Sequence, residues 1–106
     1  MKNIQQILDL ITEKGIFSLS NNYEGACPCF DANLAGIIIE IHCWRTNKYY
    51  AEKNWQKCKC KYSGLHVSQE KKCYYKKEDL TKIGKLCLKQ IKETWGSATE
   101  FNLVIE

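Results

Sequence analysis

The stretch Gly36-Ile37-Ile38-Ile39-Glu40-Ile41-His42-Cys43-Trp44-Arg45 decides how the chain reads. Four β-branched isoleucines followed by tryptophan suit a pleated, half-buried surface and suit a helix poorly. Three isoleucines in a row predict a strand that starts buried on both faces. Everything on either side has to cover this strand or pair with it.

Upstream, Ile4, Ile7, Leu8 and Ile11 fall at the spacing of one helical face. Residues 3–14 therefore read as a helix, with Asn3 as N-cap and Gly15 as the stop. Residues 16–19 read as a short strand, and Ser20-Asn21-Asn22 carries turn chemistry. Residues 24–36 read as an extended loop or sheet edge, because Pro28 lacks an N–H to donate; Asp31 is expected to cap a turn there.

Downstream, Thr46-Asn47-Lys48 predicts a hairpin turn into a strand at 49–52, and Lys53-Asn54 a second turn. Residues 55–62 alternate, with Trp55, Lys57, Lys59 and Lys61 on one face and Gln56, Cys58, Cys60 and Tyr62 on the other. After a turn at Ser63-Gly64, residues 65–75 predict another strand. Residues 77–95 form a second helix on the stripe Leu80, Ile83, Cys87, Ile91 and Trp95, ended by Gly96. A last strand is expected at 101–105. The fold class is α+β: a single small domain, residues 1–106, with an antiparallel sheet of about four to five strands and an N-terminal and a C-terminal helix.

Seven cysteines stand in the 106 residues, four of them in two C-x-C pairs, Cys27/Cys29 and Cys58/Cys60. The first fifteen residues carry Lys2, Asp9, Glu13 and Lys14, which break any apolar leader core. The odd cysteine number fits a closed disulfide framework poorly. The expected setting is the cytoplasm, where thiols stay reduced, and no apolar run is long enough for a membrane span. Cys27, Cys29, Cys58 and Cys60 form the most economical zinc set, although C-x-C is tighter than the usual C-x2-C knuckle. Cys58, Cys60, His66 and Cys73 form a rival set. Cys43 and Cys87 fall on apolar elements and read as packing.

Between Lys57 and Lys77 lie seven lysines and a single acid, Glu70, so that stretch is +6 and the rest of the chain −2, within a net +4. Tyr62, Tyr74 and Tyr75 interleave with these lysines. Lysine meets phosphate as a point charge and reads no base edge, while tyrosine can stack on a base. The surface expected to bind is Lys57, Lys59, Lys61, Tyr62, Lys71, Lys72, Tyr74, Tyr75, Lys76 and Lys77. Its partner would be nucleic acid, or a nucleoprotein or protein with an acidic face, as for phage or mobile-element inhibitors of host machinery. Phosphate loops, nucleophile elbows and C-x-x-C are absent. The carboxylates Glu24, Asp31 and Glu40 look scattered. A non-catalytic binding protein is thus the leading expectation. A zinc-stabilised cysteine-rich module and a thiol-dependent enzyme or redox sensor are its alternatives.

Overall fold

The computed structural model of the chain describes residues 2–19, 21–22, 30–42, 64–72, 74–95 and 102–106. The isoleucine stretch forms β3 (Ile37–His42), the middle strand of a five-stranded sheet. Around it lie β1 (Asn21–Asn22), β2 (Phe30–Leu34), β4 (Gly64–Gln69) and β5 (Asn102–Ile105), in the order β1-β2-β3-β4-β5. The helices are α1 (Ile4–Lys14), the four-residue α2 (Ile16–Leu19) and α3 (Lys77–Trp95).

The register sorts the side chains between the two faces. Ala32, Ile39 and Val67 are cross-strand partners, as are Ile41 and Leu65. All five are buried, together with Ile7, Ile11 and Ile16 from α1 and α2 and Leu80, Ile83, Cys87 and Ile91 from α3. The helices therefore cover one face of the sheet. Each fully buried aliphatic side chain contributes about 1.5–3 kcal/mol, so this single layer dominates the stability.

Both long helices follow the sequence closely. Asn3 caps α1 through a reciprocal pair: its Oδ1 accepts the Gln6 N–H, and Gln6 Oε1 accepts the Asn3 N–H, both at 2.9 Å. Two backbone donors at the helix start are satisfied in this way. Gly15 ends the helix at φ 80°, with its N–H on the Ile11 carbonyl. In α3, Glu78 and Asp79 occupy the first turn, where carboxylates suit the helix dipole.

Four expectations need correcting. Residues 16–19 are helical, not a strand: the Ile16 N–H donates to Gln90 Oε1 at 2.7 Å, and Gln90 Nε2 donates to the Ile11 carbonyl at 2.9 Å. The α3 side chain thus turns the chain straight from α1 into α2. Residues 30–34 are an interior strand, not an edge or loop, and Asp31 pairs within it against Asn21 and Glu40 instead of capping a turn. Gly64 opens β4 opposite His42 and does not sit in a turn, and that strand ends at Gln69, short of residue 75. Finally, the sheet is mixed. β5 runs parallel to β4, because α3 carries the chain back to the end from which β4 started. The expected strands at 49–52 and 55–62 and the stop at Gly96 lie outside the described residues.

The β2–β3 connection is a two-residue hairpin turn, Ala35-Gly36, with both residues at positive φ, 53° and 89°. That pattern matches a type I′ turn, which favours asparagine at its first central position. Alanine there costs about 1 kcal/mol in the left-handed region. Ala35→Asn is expected to raise stability by about 0.5–1 kcal/mol, read as a higher denaturation midpoint with an unchanged slope.

Candidate functional site

Three segments meet at the end of the sheet where β3 begins and β4 finishes, since Ile37 pairs with Gln69. They are the Ala35-Gly36 turn, the loop at 70–76 and the N-terminal residues before α1. Gln69 fixes the loop by acting like a peptide group. Its Oε1 accepts the Tyr75 N–H at 2.9 Å, and its Nε2 donates to the Tyr75 carbonyl at 3.0 Å. The Tyr75 hydroxyl lies 2.9 Å from the Lys2 carbonyl and 3.1 Å from the Ala35 carbonyl, so its proton ties all three segments together. On the other side of the turn, the Glu70 N–H donates to the Gly36 carbonyl at 2.9 Å, and Glu70 Oε1 accepts from Asn33 Nδ2 at 2.8 Å.

These bonds divide the expected binding residues. Tyr75 is partly buried and spends its hydroxyl and backbone on the fold. Its neighbour Tyr74 is 85% exposed, the one exposed large hydrophobic side chain among the described residues. Lys71, Lys72, Lys76 and Lys77 are exposed around it, and none has an ion pair or side-chain hydrogen bond among the described residues. Glu70, the only acid of the segment, is held by Asn33. The result is an exposed aromatic ring flanked in sequence by four exposed lysines, three on a loop pinned at Glu70 and Tyr75 and one at the start of α3. Lys57, Lys59, Lys61 and Tyr62 lie outside the described residues.

Sequence reading missed two contributions. Lys2 is exposed and joins the same end of the sheet through its carbonyl on Tyr75; no local pattern signals that. Lys82, Lys85, Lys89 and Lys92 recur at intervals of three, four and three along α3, and all are exposed. Their spacing was visible beside the apolar stripe.

On the sheet face away from the helices, Asp31, Glu40 and His66 stand in register across β2, β3 and β4. Asp31 and Glu40, which look scattered in the sequence, are thus neighbours, while Glu24 lies outside the described residues. His66 is only 7% exposed, and its Nδ1 lies 3.7 Å from Glu106 Oε1. Among the described residues, no three His, Cys, Asp or Glu side chains are grouped to hold a metal ion. The zinc set Cys27, Cys29, Cys58 and Cys60 lies outside the described residues, as does Cys73 of the rival set.

Cys87 is fully buried on α3, and burial pushes its thiol up from 9.0 to about 12. The thiolate is the nucleophile, so Cys87 is inert in the folded chain. Its raised value also sets a pH dependence. In the unfolded chain the thiol ionises near 9.0, so the stability it lends is complete below that pH and drains away as pH rises towards about 12. Between pH 7.5 and pH 10, denaturant melts of the parent and Cys87→Ala are expected to converge by about 1.4 kcal/mol.

No protein-family model, curated protein or solved structure matches the chain. No helix among the described residues is long and apolar enough to cross a membrane.

Proposed function

We propose that this is a non-catalytic binding protein of the cytoplasm, and that its Tyr74 loop engages the backbone and an unstacked base of a nucleic acid. The observation that carries the reading is Tyr74, 85% exposed between exposed lysines on a loop pinned by Gln69 and Tyr75. An exposed ring normally costs solubility, and four lysines without an ion pair among the described residues repel one another. A phosphate chain satisfies both, placing anions on the lysines and a base face on the ring. Lysine in place of arginine fits backbone contact without base-edge readout. Fixing the loop beforehand removes much of the ordering cost of binding.

The test is a fluorescence-anisotropy titration of a labelled single-stranded oligonucleotide at low salt. Micromolar binding that weakens steeply with salt supports the reading, and no binding at tens of micromolar protein ends it. Tyr74→Ala should weaken binding by about 5- to 150-fold, the equivalent of one stacked base at roughly 1–3 kcal/mol. It should leave the salt dependence unchanged, because no charge is removed.

A further inference from the structure

The outer face of α3 carries charge that the fold does not use. From Leu80 to Lys92 the helix holds four lysines and no acid. At 100° per residue, Lys82, Lys85, Lys89 and Lys92 fall within an arc of about 80°. They lie opposite the buried stripe of Leu80, Ile83, Cys87 and Ile91. All four are exposed, and none has an ion pair among the described residues. A solvated helix face is ordinarily laced with acid–base pairs three or four residues apart. Here 82 and 85, 85 and 89, and 89 and 92 are like charges, which repel. Acids stand at such spacings only at the two ends, Glu78 and Asp79 before Lys82 and Glu93 after Lys89, and none forms an ion pair with these lysines among the described residues. Nothing in the packing of α3 requires this arrangement, and a polyanion laid along the helix would relieve it.

We propose that α3 extends the Tyr74 loop into one continuous track for a single-stranded nucleic acid, a proposal that rests on the reading above. The loop lysines Lys76 and Lys77 lead into the helix, where Glu78 is the one acid within the lysine arc before Lys82, and from Lys77 to Lys92 the axis advances about 22 Å. A stacked strand spaces its phosphates by about 3.4 Å along its axis, so the track takes about six to seven nucleotides. That lies within the site sizes of about 4–16 nucleotides seen for single-strand grooves. The strand must be single, because Tyr74 stands at the head of the track and a ring can stack only on a base whose face is free. In a duplex those faces are covered.

The experiment compares a tetranucleotide and a dodecanucleotide of thymidine by anisotropy. The proteins are the parent chain, the variant carrying Lys→Gln at 82, 85, 89 and 92, and the variant carrying Lys→Arg at the same positions. The parent should hold the dodecamer at least tenfold more tightly than the tetramer. The Gln variant should lose that gain, keep its tetramer affinity, and show a log–log salt slope shallower by about 3, at roughly 0.7 per phosphate contact. The Arg variant should bind as the parent does, and melting curves of all three should coincide. Unchanged dodecamer affinity and slope in the Gln variant would overturn the track while the loop reading stands. Loss of binding in the Arg variant would overturn it too, since charge would not be the cause. A duplex of equal length bound as tightly as the dodecamer would overturn the single-strand assignment. A parent that binds neither oligonucleotide brings down the loop reading and the track together.

Discussion

Replacing Gly64 with alanine should lower the thermal midpoint by about 10–25 °C. Gly64 opens β4 at φ 146°, a region that side-chain-bearing residues rarely adopt. It also stands directly opposite Asn102 in the parallel β4–β5 pair, and a methyl group there would run into the Asn102 backbone carbonyl and N–H. Backbone strain of about 1–3 kcal/mol is added to an overlap that only separation of the strands relieves. The expected total is about 2–4 kcal/mol. Gly15→Ala is the control. Its φ of 80° is also unfavourable, yet nothing lies within 4 Å of the added methyl. It should cost only about 1 kcal/mol. Hydrogen exchange gives the second readout: the amides of residues 102–105 should lose protection in Gly64→Ala and keep it in Gly15→Ala. A melting point within a few degrees of the parent would mean that β5 does not approach β4 as described.

Reversing charge at Lys71, Lys72, Lys76 and Lys77 together should reduce oligonucleotide affinity by about a hundredfold or more at low salt. Four single-strand phosphate contacts account for a log–log salt slope of about 3, which the variant should lose. The fold should respond in the opposite direction. Glutamate at 76 and 77 sits at the start of α3, where negative charge complements the helix dipole by a few tenths of a kcal/mol each. Stability is therefore expected to hold or rise slightly while binding collapses. A variant that loses binding and stability together would place these lysines in the fold and not in an interface.

The parts of the fold that were legible in the sequence are those with long periodic signals. α3 spans nineteen residues with an apolar stripe and acids in its first turn, and α1 announces itself through its apolar face, Asn3 and Gly15. Short elements were not legible. Ile16-Phe17-Ser18-Leu19 suits a strand as well as a helical turn by composition, and the deciding bond comes from Gln90, over seventy residues away. Phe30 to Leu34 contains Asp31 and Asn33, which disfavour strands on their own. They are tolerated because they lie on the face away from the helices. The direction of β5 could not be read locally, because the return path along α3 sets it. Within the site, the lysines were visible as a charge run. The division of labour between Tyr74 and Tyr75 was not, because two adjacent tyrosines look alike until one hydroxyl finds the carbonyls of Lys2 and Ala35.

The clamp formed by Gln69 and Tyr75 has a consequence for how such a protein can change over generations. The path of the loop is dictated by one side-chain amide and one phenol, neither of which is offered to solvent as a binding group. The side chains at 71, 72, 74 and 76 make no hydrogen bond or ion pair among the described residues, and Lys76 serves the start of α3 through its carbonyl alone. Selection can therefore rewrite those four freely, trading charge for hydroxyl or one ring for another, while 69 and 75 stay frozen. On the proposed reading, ligand preference and foldability become separately inheritable, because changes at 71, 72 and 74 leave the Gln69–Tyr75 clamp in place.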